Sequence, residues 1–143
     1  MNLLDKFHHW RRKLRWNKQY KQGRWDSLQS EKEAKRYETI IRMATEFGPE
    51  NPSVLDIGSG DGVLTERFGA DRYGYFLGVD FSKVSIEKAK AKNLKNAEFE
   101  TADAITFQPK QKFDVIVFNE AFYYIHDSEK QNVLDRMLNS LTE

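Results

Sequence analysis

Apolar residues recur at two different periods along this chain. Three segments show helical spacing, and two others are short apolar runs. The helical faces comprise Leu3, Phe7, Trp10 and Leu14; Ala34, Tyr37, Ile40, Ile41 and Ala44; and Val133, Leu134, Met137, Leu138 and Leu141. The run at 54–57, apolar except for Asp56, indicates a buried strand, and the continuous run at 115–118 is typical of a parallel strand covered on both faces. The pattern therefore predicts helices that alternate with buried strands, an α/β arrangement.

Polar residues mark where several of these helices begin. Ser30, with Glu33 three residues later, is a capping-box signature. Ser82 is expected to cap a helix that follows the second strand, and either Asp127 or Ser128 is expected to cap the last helix. Each position precedes residues with helical spacing, so the caps and the apolar pattern predict the same elements.

Three glycines follow the first buried strand at every second position. Gly58, Gly60 and Gly62 separate that strand from a helical segment at 63–68. Glycine is needed where the backbone takes a positive φ, or where a ligand approaches the main chain with no Cβ in the way. The amides that open the next helix favour a negative group such as a carboxylate. The stretch therefore predicts a turn that binds a nucleotide-type cofactor.

The spacing of this turn distinguishes between cofactor classes. A dinucleotide fingerprint reads G-x-G-x-x-G, whereas the glycines here read G-x-G-x-G. Asp56 lies two residues before the first glycine, and Asp61 lies within the turn. These acids repel a pyrophosphate and attract a ligand that carries an ammonium and a sulfonium group. The residues therefore favour a cationic amino-acid nucleotide over the dinucleotide of an oxidoreductase.

The segment at 56–62, D-I-G-S-G-D-G, resembles the first motif of the class I S-adenosylmethionine-dependent methyltransferases. Three later segments are similar to further motifs of that family, in order and spacing. They are residues 76–82, a second strand that ends in an acid; residues 97–104, a third strand and its adenine-contacting turn; and residues 113–120, a fourth strand. The resemblance covers roughly residues 50–140. It implies a Rossmann-like, doubly wound parallel sheet in three layers, with strand order 3-2-1-4.

The resemblance also implies S-adenosyl-L-methionine as the cofactor. Asp80, 20 residues after Gly60, is expected to accept both ribose hydroxyls, because a carboxylate offers two oxygens. Phe81 would place its ring against the adenine, and Asp103 would accept the adenine amino group beside the Ala104 amide. An ordinary turn role for Asp103 stays open. The expected cofactor-binding residues are Asp56, Gly58, Gly60, Gly62, Asp80, Phe81, Asp103, Ala104 and Asn119, and no metal ligand is predicted.

The residues after strand four are the candidates for the acceptor site, because ligands of open α/β sheets bind outside the carboxyl ends of the strands. Methyl transfer from a sulfonium is an in-line displacement. A hydroxyl acceptor reacts better with a general base that removes its proton, whereas a neutral amine can attack without one. The predicted catalytic residues are Glu120 or His126 as the base, and Tyr123 or Tyr124 to hold the acceptor. A solvated His126 at a helix start is the alternative. The N-E-x-x-Y-Y pattern resembles methyltransferases that act on sugars or amino-sugar oligosaccharides.

The chain departs from the family after the helix that follows strand four. Class I domains normally continue through strands 5 to 7, so strand four is expected to form an exposed edge that invites pairing with another chain. Three interpretations follow: a piece of a longer enzyme, a short protein that forms a homodimer through this edge, or a cofactor-binding remnant. The predicted function is methyl transfer to a small-molecule acceptor. The alternative is a non-catalytic module that binds S-adenosylmethionine or S-adenosylhomocysteine.

Composition excludes several other classes of protein. The 143 residues are 39% hydrophobic and 31% charged, which is typical of one globular domain. There is no cysteine, so disulfide and thiol chemistry are excluded. No apolar run approaches the roughly 18 to 20 residues that span a bilayer, and the start lacks the apolar core of a signal peptide. A cytoplasmic location is therefore expected.

Charge separates the start of the chain from the rest. Residues 1–24 carry eight lysines or arginines against one acid, so the remaining residues carry 15 against 21. A basic, aromatic segment at 1–27 and a methyltransferase domain at 28–143 are therefore expected. No specific nucleic-acid partner is predicted, because the larger part is acidic and contains no recognised nucleic-acid motif.

Two features of the basic segment allow more than one interpretation. Residues 3–16 form an amphipathic stretch that could contact an anionic membrane surface or a phosphate-bearing substrate. Alternatively, its apolar stripe packs on the domain, or the stretch is a mobile, solvated tail. Tyr20 and Trp25 are candidate lid residues over the cofactor, as the resemblance implies. Alternatively, Trp25 fastens the following helix to the core.

Overall fold

Four parallel strands form the centre of the protein. A computed structural model describes residues 1–143, except for the side chains of residues 28 and 29. The strands are β1 (Ser53–Ile57), β2 (Tyr75–Asp80), β3 (Ala97–Thr101) and β4 (Val115–Val117). They lie in the order β3-β2-β1-β4, and every pair is parallel. The predicted Rossmann-like sheet with strand order 3-2-1-4 is therefore confirmed.

The helices lie outside the sheet. They are α1 (Leu3–Lys21), α2 (Glu31–Phe47), α3 (Val63–Phe68), α4 (Lys83–Ala91) and α5 (Asp127–Leu138), with short 3₁₀ turns at Asp26–Gln29 and Phe122–Tyr124. The helices α3 and α4 connect consecutive strands, whereas the described residues between β3 and β4 form no helix. Within the described part of the chain, no helix combines the length and the apolar character that crossing a bilayer requires.

Side chains of β1 point alternately into two apolar layers, as the pleat of a strand requires. Val54 packs with α2 and α3 on one face, in a cluster that includes Tyr37 and Phe68. Leu55 and Ile57 pack on the other face, in a cluster that extends to α5. Leu55 is fully buried and lies opposite residues of β2 and β4, which explains why the run at 54–57 is apolar except for Asp56.

The structure corrects two of the predicted helix caps and confirms a third. Ser30 precedes α2, but its side chain makes no capping hydrogen bond, because the Glu33 amide donates to the backbone carbonyl of Ser30 instead (3.1 Å). The first residue before α5 is His126, whose ring accepts from the Ser128 amide, so the caps predicted at Asp127 or Ser128 are wrong. Ser82 caps α4 as predicted.

The helix α1 lies across the carboxyl ends of the strands and contacts the domain along one side. It packs against α4, where Lys88 Nζ donates to the Tyr20 carbonyl (2.7 Å) and Ser82 Oγ donates to Asn17 Oδ1 (2.7 Å). At its other end, the Met1 amino group lies 3.3 Å from Glu129 of α5. The division of the chain at residues 27 and 28 stays a prediction.

The chain after α5 returns to the sheet just before β4. Leu141 forms a parallel bridge with Phe113, supported by hydrogen bonds from Phe113 N to Ser140 O and from Thr142 N to Phe113 O, both 2.9 Å. Because Phe113 precedes β4, this bridge leaves β4 itself at the edge of the sheet, as expected. Val115–Val117 form the outermost strand of the described sheet, and the homodimer expected there stays a prediction.

Candidate functional site

The three glycines of the turn after β1 all adopt left-handed backbone conformations. Their φ angles are 82°, 57° and 81° for Gly58, Gly60 and Gly62. A Cβ on Gly58 would lie 2.5 Å from the Ala121 Cβ, and a Cβ on Gly60 would lie 2.5 Å from the Tyr20 hydroxyl. The turn therefore needs glycine both for its conformation and for the close approach of two other segments.

Asp80 connects this turn to the end of β2. Its Oδ2 accepts a hydrogen bond from the Gly60 amide (3.0 Å), and its Oδ1 accepts one from the Ser82 amide (2.8 Å). Burial raises the pKa of Asp80, while these backbone hydrogen bonds oppose that rise. Each carboxylate oxygen has a second lone pair, so Asp80 can accept two further hydrogen bonds from a ligand.

Three carboxyl groups are buried around the same turn. Asp56, Asp61 and Asp80 are 2%, 5% and 7% exposed. Burial, and then the charge of Asp80, raise the pKa of Asp56 to about 7. Among the described residues, Asp56 Oδ1 and Ser59 Oγ are buried atoms without a hydrogen-bond partner. The arrangement favours a ligand that brings positive charge and hydrogen-bond donors to this end of the site.

A cavity of about 250 Å³ lies at the carboxyl ends of the strands and joins these groups to the other predicted site residues. It is lined by the turn, by the ends of the strands, by one face of α1 and by residues 119–125. The predicted site residues at the cavity are Asp56, Gly58, Gly60, Asp80, Phe81, Asp103, Ala104, Asn119, Glu120 and Tyr123. The structure thus brings together residues from four separate motifs.

Gly62 and His126 lie outside the residues that line the cavity. A Cβ on Gly62 would lie 3.0 Å from the Phe99 ring, so this glycine makes room for packing behind the turn. His126 caps α5, and its Nε2 lies 3.6 Å from Asp5 Oδ2. A catalytic role for His126 stays a prediction, whereas Glu120 and both candidate tyrosines, Tyr123 and Tyr124, lie at the cavity.

At one end of the cavity, Phe81 and Asp103 both contact His9 of α1. The rings of Phe81 and His9 stack with centroids 6.3 Å apart, and His9 Nε2 lies 2.5 Å from Asp103 Oδ2. The other oxygen of Asp103 accepts from the Ile105 amide (3.0 Å). A flat ring and a carboxylate therefore lie together where the sequence predicts the adenine.

The α1 side of the cavity contains residues that sequence reasoning missed. His9, Arg12 and Trp16 line the cavity together with Tyr20, which the sequence had suggested as part of a lid. Trp16 stacks on Trp25 with centroids 4.6 Å apart. Positions 9, 12, 16 and 20 form a second helical stripe, which is the signal that could have found them.

Arg36 of α2 also lines the cavity and was not predicted. Its Nη1 pairs with Glu33 (2.9 Å), and its guanidinium lies over the Tyr37 ring, 5.4 Å from the centroid. In the described part of the chain, Arg36 Nε is buried without a hydrogen-bond partner. No sequence signal singles it out, since α2 contains several arginines and lysines.

The segment after β4 forms the other end of the cavity. Glu120 has a φ of 54°, which is uncommon for a residue with a side chain. The Tyr123 hydroxyl donates to Glu120 Oε2 (3.0 Å). The neighbouring Tyr124, then burial and Glu120, raise the pKa of Tyr123. Residues with such uncommon backbone conformations cluster at functional sites. Here the Glu120 carboxylate and the Tyr123 hydroxyl lie together at the cavity.

The protein has an open parallel sheet, a glycine turn after the first strand and a cavity at the carboxyl ends of the strands. These features define a class of α/β domains that bind nucleotide cofactors. Within that class, residues 54–143 match the family model described as "Methyltransferase domain". The chain therefore belongs to this family, the class I S-adenosylmethionine-dependent methyltransferases.

Two curated relatives match part of the chain. A ubiquinone biosynthesis O-methyltransferase of Pelagibacter ubique is 37% identical over 84 residues, which are 54% of this chain and 33% of the relative. A trans-aconitate 2-methyltransferase of Agrobacterium fabrum is 39% identical over 74 residues, which are 50% of this chain and 28% of the relative. The chain spans about a third of the length of these relatives.

Solved structures share the fold. The N-methyltransferase NodS from Bradyrhizobium japonicum WM9, in complex with S-adenosylhomocysteine, aligns with a TM-score of 0.67 at 24% identity, over 76% of this chain and 56% of NodS. The plantazolicin methyltransferase BpumL, in complex with a pentazolic analogue and S-adenosylhomocysteine, aligns with a TM-score of 0.70 at 20% identity, over 96% of this chain and 57% of BpumL. At these identities the likeness concerns the fold alone.

The raised pKa of Asp56 predicts how the stability of the free protein depends on pH. An unfolded aspartate loses its proton near pH 4, whereas folded Asp56 loses it near pH 7. The folded state therefore binds the extra proton between these values, and the contribution of Asp56 to the free energy of unfolding falls by about 4 kcal/mol as pH rises from 4 to 7. The contribution stops changing above about pH 8, where folded Asp56 is almost fully ionised.

Asp56→Asn removes this ionisation. We expect the free energy of unfolding of the variant, relative to wild type, to increase between pH 4 and pH 7 in urea titrations. Asp71→Asn, at an exposed position, is the control and is expected to show no such trend. A difference between Asp56→Asn and wild type that is independent of pH would show that Asp56 ionises normally in the folded protein.

Proposed function

We propose that this protein binds S-adenosyl-L-methionine and transfers its methyl group to a small-molecule acceptor. The observation that carries the proposal is the cavity that joins the glycine turn, the buried carboxylates of Asp56 and Asp80, and the Phe81–Asp103 pair. The family of the chain and the names of its relatives, which are all methyltransferases, support the same activity.

The chemistry of the cavity fits the separate parts of this cofactor. The unpartnered Asp56 Oδ1 and Ser59 Oγ suit an ammonium group, which is positively charged and donates hydrogen bonds. The two free lone pairs of Asp80 suit a pair of ribose hydroxyls. Phe81 offers a ring face, and Asp103 offers a carboxylate to the adenine amino group.

Arg36 is the residue we assign to the carboxylate of the cofactor. That carboxylate is the one anionic group of S-adenosylmethionine, and the glycine turn is surrounded by acids that repel it. Arg36 lines the same cavity and has a buried Nε with no partner among the described residues. A guanidinium holds a carboxylate by two parallel hydrogen bonds, which also fixes its orientation.

When bound, the cofactor supplies an electrophilic methyl group on a sulfonium. The acceptor forms a bond to this methyl with its own electron pair, the bond from carbon to sulfur breaks, and the acceptor loses a proton. Glu120 lies at the cavity beside Tyr123, where its carboxylate can take that proton from a hydroxyl. Tyr123, whose pKa is raised, keeps the proton that it donates to Glu120, and its oxygen can accept a hydrogen bond from the acceptor.

The class of acceptor is proposed only coarsely. The relative from Pelagibacter ubique is named an O-methyltransferase, and NodS is named an N-methyltransferase. These names therefore do not indicate which acceptor atom is methylated. The N-E-x-x-Y-Y segment, which holds Glu120 and Tyr123 at the cavity mouth, makes sugars and amino sugars the first acceptors to test. With these polar acceptors and a chain free of cysteine, we propose a cytoplasmic site of action.

Cofactor binding is tested by titration calorimetry with S-adenosylmethionine and S-adenosylhomocysteine. Asp80→Asn is expected to weaken binding by roughly ten- to hundredfold, because a hydrogen bond to a charged group is worth about 1.5–3 kcal/mol. Asp103→Asn is a second variant, since Asp80 also holds the turn and its loss affects stability. Asp71→Asn is the control. Absence of binding by the folded wild-type chain would contradict the proposal.

The role of Arg36 is tested with a ligand that lacks the carboxylate. Wild type is expected to bind S-adenosylmethionine about tenfold or more tightly than decarboxylated S-adenosylmethionine, and Arg36→Gln is expected to lose this preference. Arg42→Gln, on the same helix but outside the residues that line the cavity, is the control. If Arg36→Gln weakens both ligands equally, Arg36 has a structural role and does not hold the carboxylate.

Turnover is tested by following labelled methyl transfer to sugar and amino-sugar acceptors. For a hydroxyl acceptor, Glu120→Gln is expected to lower kcat about a hundredfold or more while cofactor affinity changes little, because a base contributes about 10²–10⁴. For an amine acceptor, Glu120→Gln is expected to lower kcat much less. The tyrosine–glutamate pair Tyr75–Glu98, on the exposed surface of the sheet, supplies Glu98→Gln as the control. Cofactor binding without transfer to any acceptor would identify a non-catalytic binding module.

A further inference from the structure

The helix α1 uses two opposite faces for different purposes. The residues at 9, 12, 16 and 20 face the cavity. The residues at 3, 7, 10 and 14 lie on the other side, with intervals of four, three and four that place them in one stripe. This outer stripe consists of Leu3, Phe7, Trp10 and Leu14, and it is the apolar face that sequence patterns normally place against a core.

The outer stripe is exposed. Leu3 is 85% exposed, and Phe7, Trp10 and Leu14 are 49%, 54% and 50% exposed. The rings of Phe7 and Trp10 stack on each other, with centroids 5.9 Å apart, and form one continuous apolar surface. Among the interpretations of this segment, packing of the stripe on the domain is therefore wrong, because the opposite face makes those contacts.

Basic side chains border the stripe on both sides. By the geometry of a helix, Arg11, Arg15 and Lys18 follow one edge, and Lys6 and Lys13 follow the other. The one acid of this helix, Asp5, lies on the inner side, where it completes the N-terminal cap and lies near His126. The outer face is thus apolar along its centre and cationic along its borders.

We propose that the outer face of α1 is a docking surface for an anionic lipid membrane. A helix with tryptophan, phenylalanine and leucine on one side and lysine and arginine at its borders lies in the plane of a bilayer interface, with its apolar side among the acyl chains. The basic borders then lie at the level of the headgroups, where anionic lipids attract them. Docking leaves the inner face in contact with the cavity.

Charge argues against the other occupants. A second copy would bring another strongly basic segment against this one, since residues 1–24 carry eight lysines or arginines and one acid. Like charges at such short distances are repulsive. A nucleic acid would pair with the basic borders but would leave the Phe7–Trp10 surface against phosphates, where apolar groups gain nothing. A lipid surface satisfies both the apolar centre and the cationic borders.

The test is sedimentation of the full chain with vesicles of phosphatidylcholine alone, or of phosphatidylcholine mixed with phosphatidylglycerol. We expect binding to the mixed vesicles that weakens as salt is raised, because salt screens the charges at the borders. Binding that is equal for both kinds of vesicle, or absent for both, would overturn the proposal. The assay needs no cofactor or acceptor, so its outcome is independent of the proposed methyl transfer.

Two matched pairs of variants locate the surface. Phe7→Ser with Leu14→Ser is expected to weaken vesicle binding about tenfold or more, whereas Met43→Ser with Phe47→Ser, which changes exposed apolar residues of α2, is expected to leave it unchanged. Arg11→Glu with Arg15→Glu is expected to abolish the preference for phosphatidylglycerol, whereas Lys110→Glu with Lys112→Glu keeps it.

Thermal unfolding and sedimentation velocity accompany these measurements. All substituted positions are exposed or at the border of the helix, so each variant is expected to unfold close to the wild-type temperature. Unchanged vesicle binding by the Phe7→Ser, Leu14→Ser variant would overturn the proposal. So would a wild-type dimer that this variant converts to monomers, because a second copy would then cover the stripe.

Discussion

The hydrogen bond from the Gly60 amide to the Asp80 carboxylate is the interaction on which the cavity depends. It joins the turn after β1 to the end of β2, and the second oxygen of Asp80 fixes the start of α4 through the Ser82 amide. The turn after β1 and the junction between β2 and α4, 20 residues further along the chain, are therefore held together at one edge of the sheet by a single side chain. Only glycine suits this position, because Gly60 has a left-handed φ of 57° and a Cβ there would lie 2.5 Å from the Tyr20 hydroxyl.

The Asp80 carboxylate also makes it unfavourable for a neighbouring buried carboxyl group to ionise in the free protein. Asp56, Asp61 and Asp80 are all buried near one another, and the pKa of Asp56 rises because burial and the charge of Asp80 disfavour its ionised form. A core selected for stability alone would replace such groups by apolar ones. Their presence is understandable if a cationic ligand completes the site, so that the energy lost in the free protein is recovered on binding.

The parts of the fold that the sequence could predict are those that depend on local patterns. The runs at 54–57 and 115–118 indicated buried strands, and the glycines at every second position indicated the turn between β1 and α3. Contacts over long sequence distances had no local signal: His9 and Asp103 meet although 94 residues separate them. The cap of α5 was assigned to the wrong residue because serine and aspartate are the more common caps. In this helix the His126 ring accepts the hydrogen bond from the Ser128 amide instead.

The helix α1 shows why its orientation could not be read from its apolar periodicity. A stripe of leucine and aromatic residues normally faces a core, because burial of apolar area is the main gain on packing. The surface that α1 covers is a cavity in which aromatic rings lie beside carboxylates and backbone carbonyls. The side chains of α1 that suit it are a histidine that pairs with Asp103, an arginine that donates to the Tyr124 carbonyl, and aromatic rings that stack on Trp25 and Phe81. The periodicity correctly located two faces of the helix. Which face is turned inward is decided by the chemistry of the surface beneath, and that surface forms only when β1, β2 and β4 bring their carboxyl ends together.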